Sequence, residues 1–219
     1  HKFRLDLRTS NKFSKKHELS TFGAYGLKDE DFKYGMTYRV RLKNSPREML
    51  RFAYSKRINQ LGISSSLANK SSSLVQLFST GLLENLTMVN KASISFEKDY
   101  KINLRTFNSV ELKKYIPVGI ASYNYTNTAG DVIDIDEINS FEIVTQLMYT
   151  KEERFIYGNF DRTSTGSLYP IISLSHTLGL SKVLNSQYDF NKFEFYINHN
   201  ARIGFWGQIN YRLYAGKIY

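Results

Sequence analysis

The chain has 219 residues, with 30 Lys and Arg against 20 Asp and Glu, a net charge of +10 at pH 7 and 42% hydrophobic residues. Those apolar residues are dispersed, so no segment approaches the roughly 18 unbroken apolar residues of a transmembrane helix, and the absence of cysteine excludes disulfides and thiolate metal sites. Aromatics reach 15% (16 Tyr, 15 Phe, one Trp) beside only three prolines, a composition suited to a chain that lies mostly in paired strands.

Phe3, Leu5 and Leu7 alternate with Arg4, Asp6 and Arg8, which predicts a first strand. A short polar connection, Ser10 to Lys16, leads to a second strand over 19–27, whose Gly23 and Gly26 suggest close packing or a bend. Lys28 to Asp31 is a charged turn into the longest alternating stretch, 32–43. There Phe32, Tyr34, Met36, Tyr38, Val40 and Leu42 take the even positions, and Lys33, Gly35, Thr37, Arg39, Arg41 and Lys43 the odd ones. Side chains of a strand alternate between faces, so this ribbon has one apolar and one cationic face. At roughly 3.3 Å per residue it reaches about 40 Å, enough for a tilted strand to cross a bilayer. Asn44 to Arg47 is a turn by composition, and Leu50, Phe52, Tyr54 and Ile58 alternate beyond it with Arg51, Ser55 and Arg57.

A long connection, 59–85, carries Ser64–Ser66, Ser71–Ser73 and a short apolar run, Leu74 to Phe78, of helical-turn character. Strands follow over 86–97 and, after a tight turn near Asp99, over 102–115. A second long connection, 116–140, holds Tyr123, Tyr125 and an acidic cluster from Asp131 to Glu137. Phe141 to Tyr149 is the next strand, while 151–170 reads either as a brief strand over 155–160 or as one ordered turn. Strands over 172–178, 193–197 and 209–215 complete a count of nine to ten, with almost no helix. Beyond the first meander, long and short connections mostly alternate, as in outer-membrane barrels with short turns on one side and longer loops on the other. The expected fold is therefore all-β: an antiparallel, up-and-down transmembrane β-barrel seen in part. The chain starts at His1 without a Met or a signal peptide and is read as a mature or partial chain.

The run Gly158-Asn-Phe-Asp-Arg-Thr-Ser-Thr-Gly-Ser-Leu-Tyr-Pro170, continuing Ile171 to Ser175, resembles a Bacteroidetes outer-membrane family of unknown function. Tyr188 to Glu194, Tyr214 to Lys217, Gly23 to Gly35 and Gln60 to Gly62 look like the same family. Its members join a carboxypeptidase-regulatory-like domain to a barrel similar to the surface-antigen (BamA and TamA) barrels. The resemblance implies a periplasmic turn at 151–170, outside loops at 59–85, 116–140 and 179–191, and a role in assembly or transport of envelope components. It further implies that 1–219 is a single barrel segment, incomplete at both ends and short of an assembly of about 16 strands. The chain departs from the surface-antigen pattern in lacking a Val-Arg-Gly-Phe lid-loop motif.

Candidate chemistry is sparse. His1, His17, His176 and His199 show no ligand spacing, although His176 and His199 fall on neighbouring predicted strands. The Asp131–Glu137 cluster lacks the turn glycine of a calcium loop and reads as solvated loop charge. The serine triplets have no Gly-x-Ser-x-Gly context and no paired base, and no phosphate-binding glycine loop occurs. Asn85-Leu-Thr87 and Asn124-Tyr-Thr126 match a weak glycosylation pattern. The basic strand face formed by Arg39, Arg41, Arg51 and Arg105 stands above this background. It reads either as a hydrated lumen wall or as an electropositive interior attracting acidic polymer or lipid headgroups. The expectation is a non-enzymatic integral outer-membrane protein with no catalytic, metal or cofactor site and no nucleic-acid partner. Its expected partners are outer-membrane lipid and other outer-membrane or periplasmic proteins. The alternative is a soluble or surface β-sandwich adhesin that binds acidic glycan through basic strand faces. An outer-membrane phospholipase or protease would need a clustered nucleophile and base, which the sequence does not display.

Overall fold

Period-two alternation places the backbone in extended conformation, and the short turns fold successive strands against one another. The computed structural model describes residues 2–27, 31–60, 86–101, 103–119, 122–126 and 130–219. The segment with both serine triplets and the apolar run 74–78 lies outside these residues, as do His1, 28–30 and Asn85. The strands in chain order are β1 (Lys2–Arg8), β2 (His17–Gly26), β3 (Phe32–Asn44), β4 (Arg47–Gln60), β5 (Leu86–Asp99), β6 (Leu104–Pro117) and β7 (Tyr123–Thr126). They continue with β8 (Val132–Ile135), β9 (Ile138–Tyr149), β10 (Arg154–Tyr157), β11 (Arg162–Gly166), β12 (Ile171–Gly179), β13 (Phe190–Arg202) and β14 (Gln208–Ile218). Ten of them form one antiparallel sheet in the order β1-β2-β3-β4-β5-β6-β9-β12-β13-β14, a partial up-and-down barrel with β1 and β14 at its edges. The pairs β7–β8 and β10–β11 are separate two-stranded hairpins inserted in the connections before and after β9.

Apart from a bulge between Arg41 and Lys43 at the end of β3, the register carries the apolar set through the sheet on one face. Tyr38 lies opposite Phe52, Phe52 opposite Ile94, Ile94 opposite Val110, Val110 opposite Ile143, and Leu174 opposite Phe195. Residues directly opposite share a face, so one side is apolar from β1 to β14. The other side is polar: Glu18 opposite Arg39, Ser95 opposite Ser109, and Glu111 opposite Glu142.

Exposure runs opposite to that of a water-soluble sheet. Ile94 is 51% exposed and its neighbour Ser95 only 6%; Val110 is 42% exposed and Ser109 only 3%. Small serines become buried on one face of a single sheet only if that face curves in on itself, so the polar face is concave. Among the described residues, the buried set contains Glu18, Glu111, Glu142 and Glu194 and few large apolar side chains. The buried carboxylates are held by cations on the same face. Lys91 and Lys113 bracket Glu111 at 2.7 and 2.9 Å, and Lys113 donates to Glu142 at 2.6 Å. Ser109 and Ser140 hydroxyls add hydrogen bonds to Glu111 and Glu142.

Two glycines on the concave face make room for aromatic rings. A Cβ on Gly179 would stand 2.2 Å from the Phe190 ring opposite it, and one on Gly35 would stand 2.4 Å from Phe22. At one end of the sheet Ser45–Pro46, a turn closed by the Tyr100 amide donating to the Leu104 carbonyl, and a 3-10 turn, Gly204–Trp206, join strands tightly. The connection 150–170 leaves from that same end and carries the β10–β11 hairpin.

Candidate functional site

The hairpin β10–β11 is the element that breaks the simple meander. Glu152 turns the chain with a positive φ of 53° after β9, and the Gly158 amide closes the tip by donating to the Asp161 carbonyl at 2.8 Å. The Ser167 hydroxyl donates to the Lys151 carbonyl across the base. Its sequence puts Phe155, Phe160 and Asp161 on a short element with too little apolar surface to stand alone. It docks instead on the concave polar face, where Phe160 is 2% exposed, the most buried large side chain described.

Arginines grip the tip. Arg39 donates to Asp161 at 2.6 Å and Arg8 at 2.7 Å. Both also hold the buried Glu18, through their Nε atoms at 2.7 Å each. Arg41 donates to the Asn159 carbonyl at 2.9 Å and to the Lys15 carbonyl at 2.6 Å, and Arg47 donates to the Phe160 carbonyl. The Arg39 and Arg41 guanidiniums also sit 5.8 and 5.7 Å from the Phe160 ring centroid, within cation–π range. Hydrogen bonds from Arg39 and Arg8, outweighing partial desolvation, draw the Asp161 carboxyl from 3.8 down to about 2.

A second grip lies at the hairpin's flank. Arg162, nearly buried, pairs with Glu97 and Asp99 of β5. Arg105 reaches Asp99 at 3.3 Å and Glu153 at 3.5 Å, and Phe155 lies beneath both guanidiniums at 5.2 and 4.9 Å. Between this flank and the β3–β4 and β5–β6 turns is a polar cavity of about 260 Å³, lined in part by Arg47, Lys101, Arg105, Asp99 and Glu153.

Of the four arginines singled out from sequence, Arg39, Arg41 and Arg105 therefore meet the hairpin. Arg51 lies opposite Arg39, exposed on the concave face. Sequence reasoning missed Arg8, Glu18, Arg47, Phe160 and Asp161. The last two sit within the run 158–170, whose family-like character was the available signal; Glu18 had none beyond being an acid inside a strand. His176 and His199 do not meet: His176 stacks on Phe193 at 4.4 Å, whereas His199 contacts Tyr211 and the Leu168 carbonyl. In the acidic cluster, Glu137 pairs with Lys114 and accepts from Asn139. Among the described residues no three imidazole or carboxylate groups gather to hold a metal ion.

One family model, described as the C-terminal domain of a family of unknown function (DUF5686), matches residues 1–218. No curated protein and no solved structure matches the chain.

Proposed function

The chain belongs to the DUF5686 family, as its C-terminal domain, and from that premise we propose that it forms wall of a transmembrane β-barrel in the bacterial outer membrane. The observation that carries this reading is the inverted burial: an apolar face exposed across ten strands, backed by a concave face of paired Glu, Lys, Arg, Ser and Thr. A monomeric soluble protein rarely exposes more than a few hundred Å² of contiguous apolar surface. In lipid that surface is solvated, and the antiparallel ladder satisfies the backbone. Aromatic residues at the two ends fit interfacial girdles: Phe3, Tyr25, Phe32 and Phe193 at one, Tyr100, Tyr149, Phe205 and Trp206 at the other. No helix among the described residues is long and apolar enough to span a membrane, a test that does not bear on strands.

The role is non-enzymatic: assembly or transport of envelope components. It draws on the resemblance of 158–170 and its companion segments to a Bacteroidetes outer-membrane family whose barrel is similar to the surface-antigen barrels, and on a concave face lined for hydrated cargo. Its partners are outer-membrane lipid around the apolar face and other outer-membrane or periplasmic proteins. Extraction only by detergent, with a gel mobility that changes on boiling, is the expected result. A monodisperse, detergent-free monomer would instead favour the β-sandwich adhesin. Affinity purification from outer membranes then separates assembly from transport by whether envelope-assembly components co-purify.

A further inference from the structure

We propose that the arginines beneath the hairpin tip form a binding site for a phosphate-bearing ligand, which the tip occupies when the ligand is absent. Arg8, Arg39, Arg41, Arg47 and Arg51, from β1, β3 and β4, converge on this part of the concave face. Glu18 and Asp161 are the two carboxylates bonded to them. Five guanidiniums against two carboxylates leave an excess of three positive charges. Toward β5, β6, β9 and β13 the cations of the concave face are matched by acids: Lys91 and Lys113 by Glu111 and Glu142, Arg105 and Arg162 by Asp99, Glu97 and Glu153, and Lys192 by Glu194. Five cations thus gather in the wall under the tip, while Arg57 stands apart from them over the Phe22 ring toward the other end of β4.

The tip answers that surplus incompletely. It offers one carboxylate and two main-chain carbonyl oxygens, from Asn159 and Phe160. Arg47 is met by that neutral carbonyl and by the Met49 sulfur, both weak acceptors for a full charge. Arg51 makes no ion pair among the described residues and faces the open concavity. Guanidinium forks match phosphate oxygens in pairs, and a phosphate monoester or diphosphate presents three or more terminal oxygens that share about two or more negative charges, where the tip presents one carboxylate. A ligand of that class replaces Asp161 and the two carbonyls and lifts Phe160 from its seat. Docking of the tip then lowers the apparent affinity by the fraction of molecules in which the site is closed. The source is either a soluble phosphate or the headgroup of a phosphorylated lipid.

The site rests on the hairpin and wall alone; boiling-dependent mobility tests the membrane reading, and anion titration tests this one. The purified full chain is titrated with inorganic pyrophosphate, with acetate as the comparison anion, and binding is read by calorimetry. Hydrogen exchange of 154–166 is followed in parallel. Pyrophosphate should bind well ahead of acetate and deprotect the hairpin amides. Asp161→Asn should tighten binding about tenfold by weakening the competing tip, and Arg41→Gln with Arg47→Gln should weaken it by at least tenfold. The single variants Arg47→Gln and Arg51→Gln carry the same test if the double variant does not fold. Nanodiscs with and without phosphatidic acid separate the sources: deprotection only with the acidic lipid identifies a headgroup, and pyrophosphate binding without it a soluble phosphate. Acetate binding as well as pyrophosphate, unchanged affinity in the arginine variants, or weaker binding in Asp161→Asn overturns the proposal.

Discussion

Replacing Asp161 by Asn removes the only carboxylate of the hairpin tip while keeping its size. The side chain accepts from Arg39 at 2.6 Å and Arg8 at 2.7 Å, and charge-assisted bonds of this kind contribute about 1.5–3 kcal/mol each when shielded. Asp161 is 55% exposed and Arg8 is 49% exposed, so solvent screening reduces the pair to about 1–3 kcal/mol of docking free energy in total. The pH dependence gives a second estimate. The carboxyl is depressed from 3.8 to about 2, so its contribution is fully present above 3.8 and fades as the pH falls toward 2. That shift bounds the contribution near 2 kcal/mol, and about 1 kcal/mol remains after allowance for exposure. Hydrogen exchange reads the result directly. In Asp161→Asn the protection of amides 154–166 should fall about five- to tenfold, with the sheet amides unchanged. The wild type at pH 2.5, corrected for intrinsic rates, should move the same way. Equal hairpin protection in both proteins and at both pH values would refute the assignment of Asp161 as the docking anchor.

Three other substitutions probe the wall. Gly179→Val drives a Cβ into the Phe190 ring and should cost about 1–3 kcal/mol in a denaturant titration, with recovery when Phe190→Leu is added. Val110→Arg, on the apolar face, should cost about 2–4 kcal/mol in folding from urea into lipid vesicles if that residue faces the bilayer midplane; a change within about 0.5 kcal/mol would indicate a water-exposed face. Glu111→Gln leaves Lys91 without its carboxylate and Lys113 with Glu142 alone, and should lower stability by about 3 kcal/mol by the same urea titration, whereas removing Lys91 together with Glu111, which keeps the Lys113–Glu142 pair, should cost less.

The sheet was legible because its signal is local. Alternation in Phe32 to Leu42 assigns each side chain to a face without knowledge of any partner, and short connections bring β1 to β4, β5 and β6, and β13 and β14 together as neighbours. The hairpin was legible only as a brief strand or an ordered turn, and its seat on the wall was not, for the opposite reason. Arg154-Phe-Ile-Tyr157 has no alternation to read, and its docking depends on partners more than 100 positions away, such as Arg39 for Asp161. The basic face was seen only in half. A net charge of +10 drew attention to Arg39 and Arg41, whereas the acids that neutralise part of it emerge only from register, as when Glu18 falls opposite Arg39.

The Arg8–Asp161 contact ties the first strand to a residue 153 positions later. In mechanical terms the hairpin is a strut set across an arc: anchored beside β9 and β12 at its base, it reaches β1–β3 with its tip. While the strut is seated, it ties those two parts of the arc together through Arg8, Arg39 and Asp161. Unseating a thirteen-residue piece, 154–166, therefore removes that tie while every ladder of the ten-stranded sheet stays intact.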